Sequence, residues 1–332
     1  MSNRRGLTLI EFIVSGSLLV IVIGLMLPAV LMAREASRGA QCKNNLKSIG
    51  ISFHNYHDAH RVFPQAAMSW GHFPELHAPA NPVLPIFIRC GCGVRGYNYE
   101  ASWKQQPADV VSIGVCLFAC PSHHSNKAIE DEFFGSLGET TGNEFGISSY
   151  VYCKGVTDAW CRTPDLVPKH ERGAFDVDYY LRMDEVTDGA SHTIFVGEGA
   201  TGKPWRVQNV TDRTQSTNPT GWLPHQPWSV PHINTDKDIQ QAGPRASLFA
   251  STMEPMNKNP VTDTMIDSSA LSDCRSSADG GPHRTSNFRS NHADGGFFLF
   301  GDGSVRFLNE TIDMSLYRGL STIAGADDAD EF

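Results

Sequence analysis

The sequence predicts an α+β protein: one long N-terminal helix, half of it in a membrane, whose outer half packs on an antiparallel β-sheet head with long loops. Three observations carry this. A nearly unbroken apolar run, Phe12 to Ala33, continues into apolar residues at helical spacing as far as His60. Near the C-terminus two β-prone runs, Phe297 to Phe300 and Ser304 to Leu308, are joined by Gly301-Asp302-Gly303, and Asp-Gly supplies the positive φ that tight hairpins demand. In between, 30 glycines and 19 prolines in 332 residues suit a loop-rich, β-containing domain.

The apolar run, about 22 residues, makes roughly 33 Å of helix, enough for a bilayer core of about 30 Å. Arg4 and Arg5 precede it; Arg34 and Glu35 close it. Ala33 with Leu31 at the minus-three position is a poor secretory cleavage site, so the segment is expected to stay attached. Glu11 is the one ionisable group between Arg5 and Arg34. A carboxylate there costs several kcal/mol unless paired or neutralised, so it reads as functional; the plain alternative is a side chain that snorkels to the interface. Beyond the membrane, Leu46, Ile49, Phe53 and Tyr56 recur at spacings of three and four, a stripe that needs a partner surface. Pro64 is expected to end the helix, because the residue before proline is pushed out of helical conformation. The whole rod is about 55 residues, roughly 80 Å.

Further along, a short strand is expected near Val83 to Ile88. Val110 to Ala119 is apolar and β-prone, with Pro121 as its stop; Ile147 to Cys153 is another strand. Met183 to Asp188 reads as a helical turn, Thr193 to Val196 as a buried strand, and Ile312 to Leu320 as a short helix starting near Asp313. Thr201 to Ser277 is polar and proline-containing, with Trp205, Trp222 and Trp228, and reads as a long ordered loop region. Asp327, Asp328, Asp330 and Glu331 make a solvated acidic tail.

A net charge of -9 and a pI near 5.8 exclude nucleic acid as a partner, since nothing offers the basic face that phosphates require. Of eight cysteines, Cys90 and Cys92, Cys116 and Cys120, and Cys153 and Cys161 are clustered, while Cys42 and Cys274 stand alone. Cys116 and Cys120 could close a small ring; Cys90-Gly-Cys92 is too tight for an easy bridge. Paired C-x2-C zinc knuckles are lacking, so disulfides or buried thiols are expected, with connectivity open.

Gly6-Leu7-Thr8-Leu9-Ile10-Glu11 resembles the processing site of type IV prepilins and pseudopilins. The resemblance implies that a prepilin peptidase cuts after Gly6 and that Leu7, where phenylalanine is usual, becomes a methylated N-terminus. It implies that Glu11 neutralises the amine of a neighbouring subunit, and that Pro28 sits where pilin helices carry a kink-forming proline. Arg4 and Arg5 fix the N-terminus inside. Arg34, Arg38, Lys43 and Lys47 oppose that count, so orientation follows the processing motif. The run from Leu27 to Asp58 is similar to the N-terminal block of a large bacterial family of prepilin-like proteins without assigned biochemical function. That family ends in an H-x9-DG motif, matched here by His292 and Asp302-Gly303. CLFACPS (Cys116 to Ser122) and RMDEVTDGASHTIFVGE (Arg182 to Glu198) fall in the family's order, and the match is weakest over 68–111 and 203–279. The implied organisation is a leader at 1–6, a transmembrane helix at 7–33, the soluble half of the spine helix at 34–62, and a periplasmic head at 63–332 with the motif hairpin at 287–312.

His292 and Asp302 invite a catalytic pair or a metal site. A hairpin whose aspartate caps its own turn, and whose histidine bonds nearby backbone, is the expected reading. His54, His57 and His60, three apart on the spine beside Asp58, are candidate metal ligands that more simply make a helix end. Asp294-Gly-Gly and Gly301-Asp302-Gly303 offer oxygens for calcium, which the resemblance to calcium-binding major pseudopilins favours only by analogy. Gly197 to Pro204 imitates a phosphate loop but lacks the hydroxyl residue after Lys203. No cofactor and no enzymatic activity are expected.

The function expected is a processed, pseudopilin-like structural subunit, single-pass in the inner membrane, in an assembly resembling type II secretion or a type IV pilus. Its partners would be the prepilin peptidase, other pilin-like subunits and the inner membrane. The alternative is a monomeric membrane-tethered protein whose Trp-containing 203–279 region grips a carbohydrate or peptide. A third reading is a periplasmic hydrolase using His292 and Asp302.

Overall fold

The computed structural model of the protein describes residues 8–66, 94, 96–98, 103–123, 128–157, 167–176, 179–199, 207–209, 227–229, 248–258, 261–263 and 286–325. Helix α1 runs from Leu9 to His60, with Pro28 inside it. Thr8 and Glu11 form a capping box at its start: the Glu11 N–H donates to Thr8 Oγ1, and Glu11 Oε2 accepts from the Thr8 N–H at 2.8 Å. At its end Arg61 turns left-handed (φ 62°) and donates its N–H to the His57 carbonyl at 2.7 Å. The stop therefore lies three residues ahead of Pro64, made by a cap more than by the proline.

Among the described residues the strands are β1 (Ala128–Glu130), β2 (Glu144–Gly146), β3 (Tyr150–Cys153), β4 (Ile194–Glu198), β5 (Val207–Asn209), β6 (Phe249–Ser251), β7 (Val261–Asp263), β8 (Ser286–Asn287), β9 (Gly295–Phe300) and β10 (Val305–Asn309). Six form the main sheet in the order β10-β9-β4-β3-β6-β8, and β1–β2 and β5–β7 are separate pairs. The hairpin and its neighbours β4 and β3 are antiparallel, as the α+β reading requires; β6 and β8 join the far edge in parallel.

Strand alternation puts Phe297 and Leu299, Tyr150 and Tyr152, and Val196 on one face. That face receives the α1 stripe Cys42, Leu46, Ile49 and Phe53, all buried. Phe53 meets the rings of Tyr152 and Phe175, the nearer at 5.4 Å. The opposite set, Val151, Cys153, Ile194, Phe298 and Phe300, packs on the short helix Met314–Gly319 through Tyr317 and Leu320. Asp313 caps that helix, accepting from the Ser315 and Leu316 N–H groups. A sheet buried on both faces explains why β9 reads Gly-Gly-Phe-Phe-Leu-Phe and not as an apolar–polar alternation.

Two expectations are corrected. Val110 to Ala119 is no strand: Ala108–Val111 is a helical turn entered from Pro107, and Cys116–Phe118 is a 3-10 turn. Burial of Val110, Val111, Val115 and Phe118 is satisfied in turns as well as in a strand, so β-propensity did not decide. Nor does Cys120 close a ring with Cys116. It bonds Cys42 of α1, with Cα atoms 5.1 Å apart at a sequence separation of 78, and Cys116 is exposed. Closing a loop of that length removes roughly 4–5 kcal/mol of unfolded-chain entropy. The expected Val83–Ile88 strand, Cys90, Cys92, Cys161, Cys274, the phosphate-loop imitation beyond Gly199, most of 203–279 and the acidic tail lie outside the described residues.

Candidate functional site: the seam between the long helix and the sheet

Strand β9 lies along α1, and both ends of the H-x9-DG motif grip the helix. At the first end His292 is held by the Ser290 hydroxyl, which accepts from the His292 N–H at 3.0 Å and donates to Glu198 Oε2 at 2.7 Å. Glu198 Oε2 also accepts the Phe297 N–H at 3.0 Å. The His292 ring stands edge-on to Phe297. Its Nδ1 meets Glu35 Oε1 of α1 at 2.9 Å, and its Nε2 faces Glu198 Oε1 at 3.4 Å. Ser122 donates to the same Glu35 oxygen at 2.8 Å. Burial opposes a charged imidazole, yet the Glu198 and Glu35 carboxylates outweigh it and hold the His292 pKa above its ordinary value.

At the other end, Gly303 takes φ +77°, and its carbonyl accepts from Lys47 Nζ at 2.7 Å. Asp302 caps the turn by accepting the Ser304 N–H at 2.7 Å, as its sequence context predicts. Between the two ends, helix and strand come close at glycines. A Cβ on Gly39 would stand 3.5 Å from the Phe297 ring, and one on Gly50 only 2.8 Å from Leu299 Cδ1.

The spacing of the motif has a physical reading. From Glu35 to Lys47, twelve residues of helix rise about 18 Å, and the six residues of β9 span about 20 Å. Nine intervening residues therefore set His292 and Asp302-Gly303 against two points of α1 some three turns apart. The motif measures the helix.

His292 and Asp302 consequently sit at opposite ends of β9 and are not brought together as a pair. His54 and His57 pack on Phe63, with ring centroids 5.8 and 4.8 Å away, and His60 on Tyr56. Asp294 takes φ 65° and its carbonyl accepts from the Glu310 N–H. The described group that could hold a metal ion is a different one, Cys42, Cys120, Glu198 and His292. Glu11 is in the capping box, Pro28 lies within α1, and Gly6 and Leu7 fall outside the described residues. Two side chains that hold His292 escaped the sequence reading. Glu35 looked like the end of the membrane span. Glu198 closes Ile-Phe-Val-Gly-Glu, a strand buried at every residue, and a carboxylate there signals the need for partners.

The model of a family described as a protein of unknown function, DUF1559, matches residues 32–315. This chain is a DUF1559 protein. The DUF1559 match takes in the second half of α1 and nearly all of the head, hence both ends of the clamp, the Cys42–Cys120 disulfide and Glu198. No curated protein and no solved structure matches the chain.

Proposed function

We propose that this DUF1559 protein is a membrane-anchored, pseudopilin-like structural subunit, processed after Gly6 and assembled with others of its kind through the exposed half of α1. One observation carries the reading. A single 52-residue helix is apolar and wholly exposed in its first half, long enough there to cross a membrane, and is clamped to the head by its second half. Such a helix has one face-free apolar rod to offer, and lipid or other helices of the same kind are the surfaces that would cover it. The Thr8–Glu11 box keeps the carboxylate at the helix start, four residues after Leu7 in sequence. The receptor reading gains nothing from Trp228, which is buried and spends its indole N–H on the Ile113 carbonyl at 2.8 Å.

N-terminal sequencing with intact mass of protein from its native envelope is expected to find a methylated Leu7. An intact Met1, or loss of the whole apolar segment, would overturn the proposal. Glu11→Gln keeps an acceptor for the Thr8 N–H while removing the charge. It is expected to be processed normally and to lose the crosslinked ladders of the wild type in membranes; undiminished ladders would sink the pairing role.

A further inference from the structure

The Cys42–Cys120 disulfide lies against the motif histidine: Cys120 Sγ is 3.6 Å from His292 Nε2. On the imidazole's other flank stands Glu198 Oε1, 3.4 Å from the same nitrogen. Glu198 is 1% exposed, and its Oε1 has no hydrogen-bond partner, an unusual state for a carboxylate oxygen sealed from water. All four donor atoms, two sulfurs, one nitrogen and one oxygen, lie within 4.8 Å of one another.

Zinc bound by thiolate, imidazole and carboxylate at about 2.0–2.3 Å in a tetrahedron has ligand–ligand edges of roughly 3.3–3.8 Å. The two edges that His292 makes, 3.6 Å to sulfur and 3.4 Å to oxygen, already have those lengths. Glu35 supplies what a metal-bound histidine also needs, a carboxylate on the other ring nitrogen, at 2.9 Å from Nδ1. With a metal on Nε2, that contact would keep the remaining ring proton on Nδ1. The sulfurs are out of place, since their bond holds them too close for two separate ligands.

We infer that, once the Cys42–Cys120 bond is reduced, Cys42, Cys120, Glu198 and His292 form a buried zinc site. The same four residues thus lock α1 to the head in either of two ways: by a disulfide when oxidised, by a metal when reduced. Reduction by a trialkylphosphine is balanced as follows. The phosphorus takes an oxygen atom from water and becomes phosphine oxide, two electrons break the S–S bond, and the two water protons go to the sulfurs. Zinc then displaces both thiol protons to solvent. This inference stands apart from pilus-like assembly, since neither processing nor subunit contacts enter it.

The test uses full-length protein in detergent, with zinc measured by elemental analysis after gel filtration and Co(II) as a spectroscopic probe. Phosphine-reduced protein is expected to retain stoichiometric zinc and, with Co(II), to show thiolate charge transfer and tetrahedral d–d bands; oxidised protein is expected to do neither. Cys116→Ser should bind like the wild type, while Cys42→Ser/Cys120→Ser should lose the metal. Glu198→Gln, which keeps the disulfide and the residue's shape, should lose the tetrahedral signature after reduction. Glu35→Gln, a positioning change, should weaken zinc binding by roughly 10–100-fold with the thiolate bands retained. Absence of zinc from the reduced wild type, equal binding by the oxidised form, or a site unaltered in both Glu198→Gln and the double serine variant would each overturn the inference.

Discussion

At His292 two carboxylates from distant parts of the chain meet one imidazole, and the pH dependence of stability follows from it. In the oxidised protein the folded-state pKa of His292 lies above its ordinary 6.5: burial lowers it, and Glu198 and Glu35 raise it by more. Stability from this contact is fully present below pH 6.5 and is lost as pH rises through the raised value. Glu35 behaves in the opposite sense. Its partial burial raises its pKa, but Ser122 and His292 more than offset that and hold it below its ordinary 4.5. Its contribution is present above pH 4.5 and is lost as pH falls through the lowered value. Thermal melting of oxidised protein is therefore expected to plateau between about pH 4.5 and 6.5 and to decline on both sides. His292→Gln should flatten the alkaline limb; an undiminished decline would place the titrating group elsewhere.

On the scale of elements, the stability of the seam rests on how closely α1 and β9 approach. Gly50→Ala puts a methyl 2.8 Å from Leu299 Cδ1, in a fully buried contact. Overpacking there costs about 1–3 kcal/mol, against a gain of about 1 kcal/mol from replacing glycine within a helix. Net destabilisation of up to about 2 kcal/mol is expected in denaturant titrations. Gly16→Ala is the internal control: nothing lies within 4 Å of its added methyl, so the head should unfold as before. A loss in Gly16→Ala equal to that in Gly50→Ala would show that helix backbone, not the contact with β9, governs both. The basic residues past the apolar run take on structural meaning at this scale. Lys47 is bound to the Gly303 carbonyl and Arg38 pairs with Glu35, so the charges that opposed a simple topology count belong in part to the docking of the helix.

For the molecule as a whole, the apolar half of α1 contributes nothing to the folded core: Leu9 to Met32 is exposed throughout. A variant lacking residues 1–33 is therefore expected to be a water-soluble, cooperatively melting domain by gel filtration and calorimetry, with the Cys42–Cys120 bond intact. Aggregation with loss of cooperativity would mean that the first half of the helix is needed to fold the head. Much of this architecture was legible in the chain. The apolar run, the Leu46–Ile49–Phe53 stripe, the Asp-Gly turn and the Asp313 cap are local patterns, and local backbone preferences with side-chain periodicity suffice to set them. The sequence by itself determined a long helix, half apolar and half amphipathic, and a hairpin to receive it. Only the tertiary structure decided that Cys42 would join Cys120, that Glu35 would reach across 257 positions to His292, and that Glu198 would close the cluster. Those pairings depend on how β9 lies along α1, a geometry fixed by burying both faces of one sheet; the nine-residue spacing of the motif sets the distance between two contacts but does not name the partners on the helix.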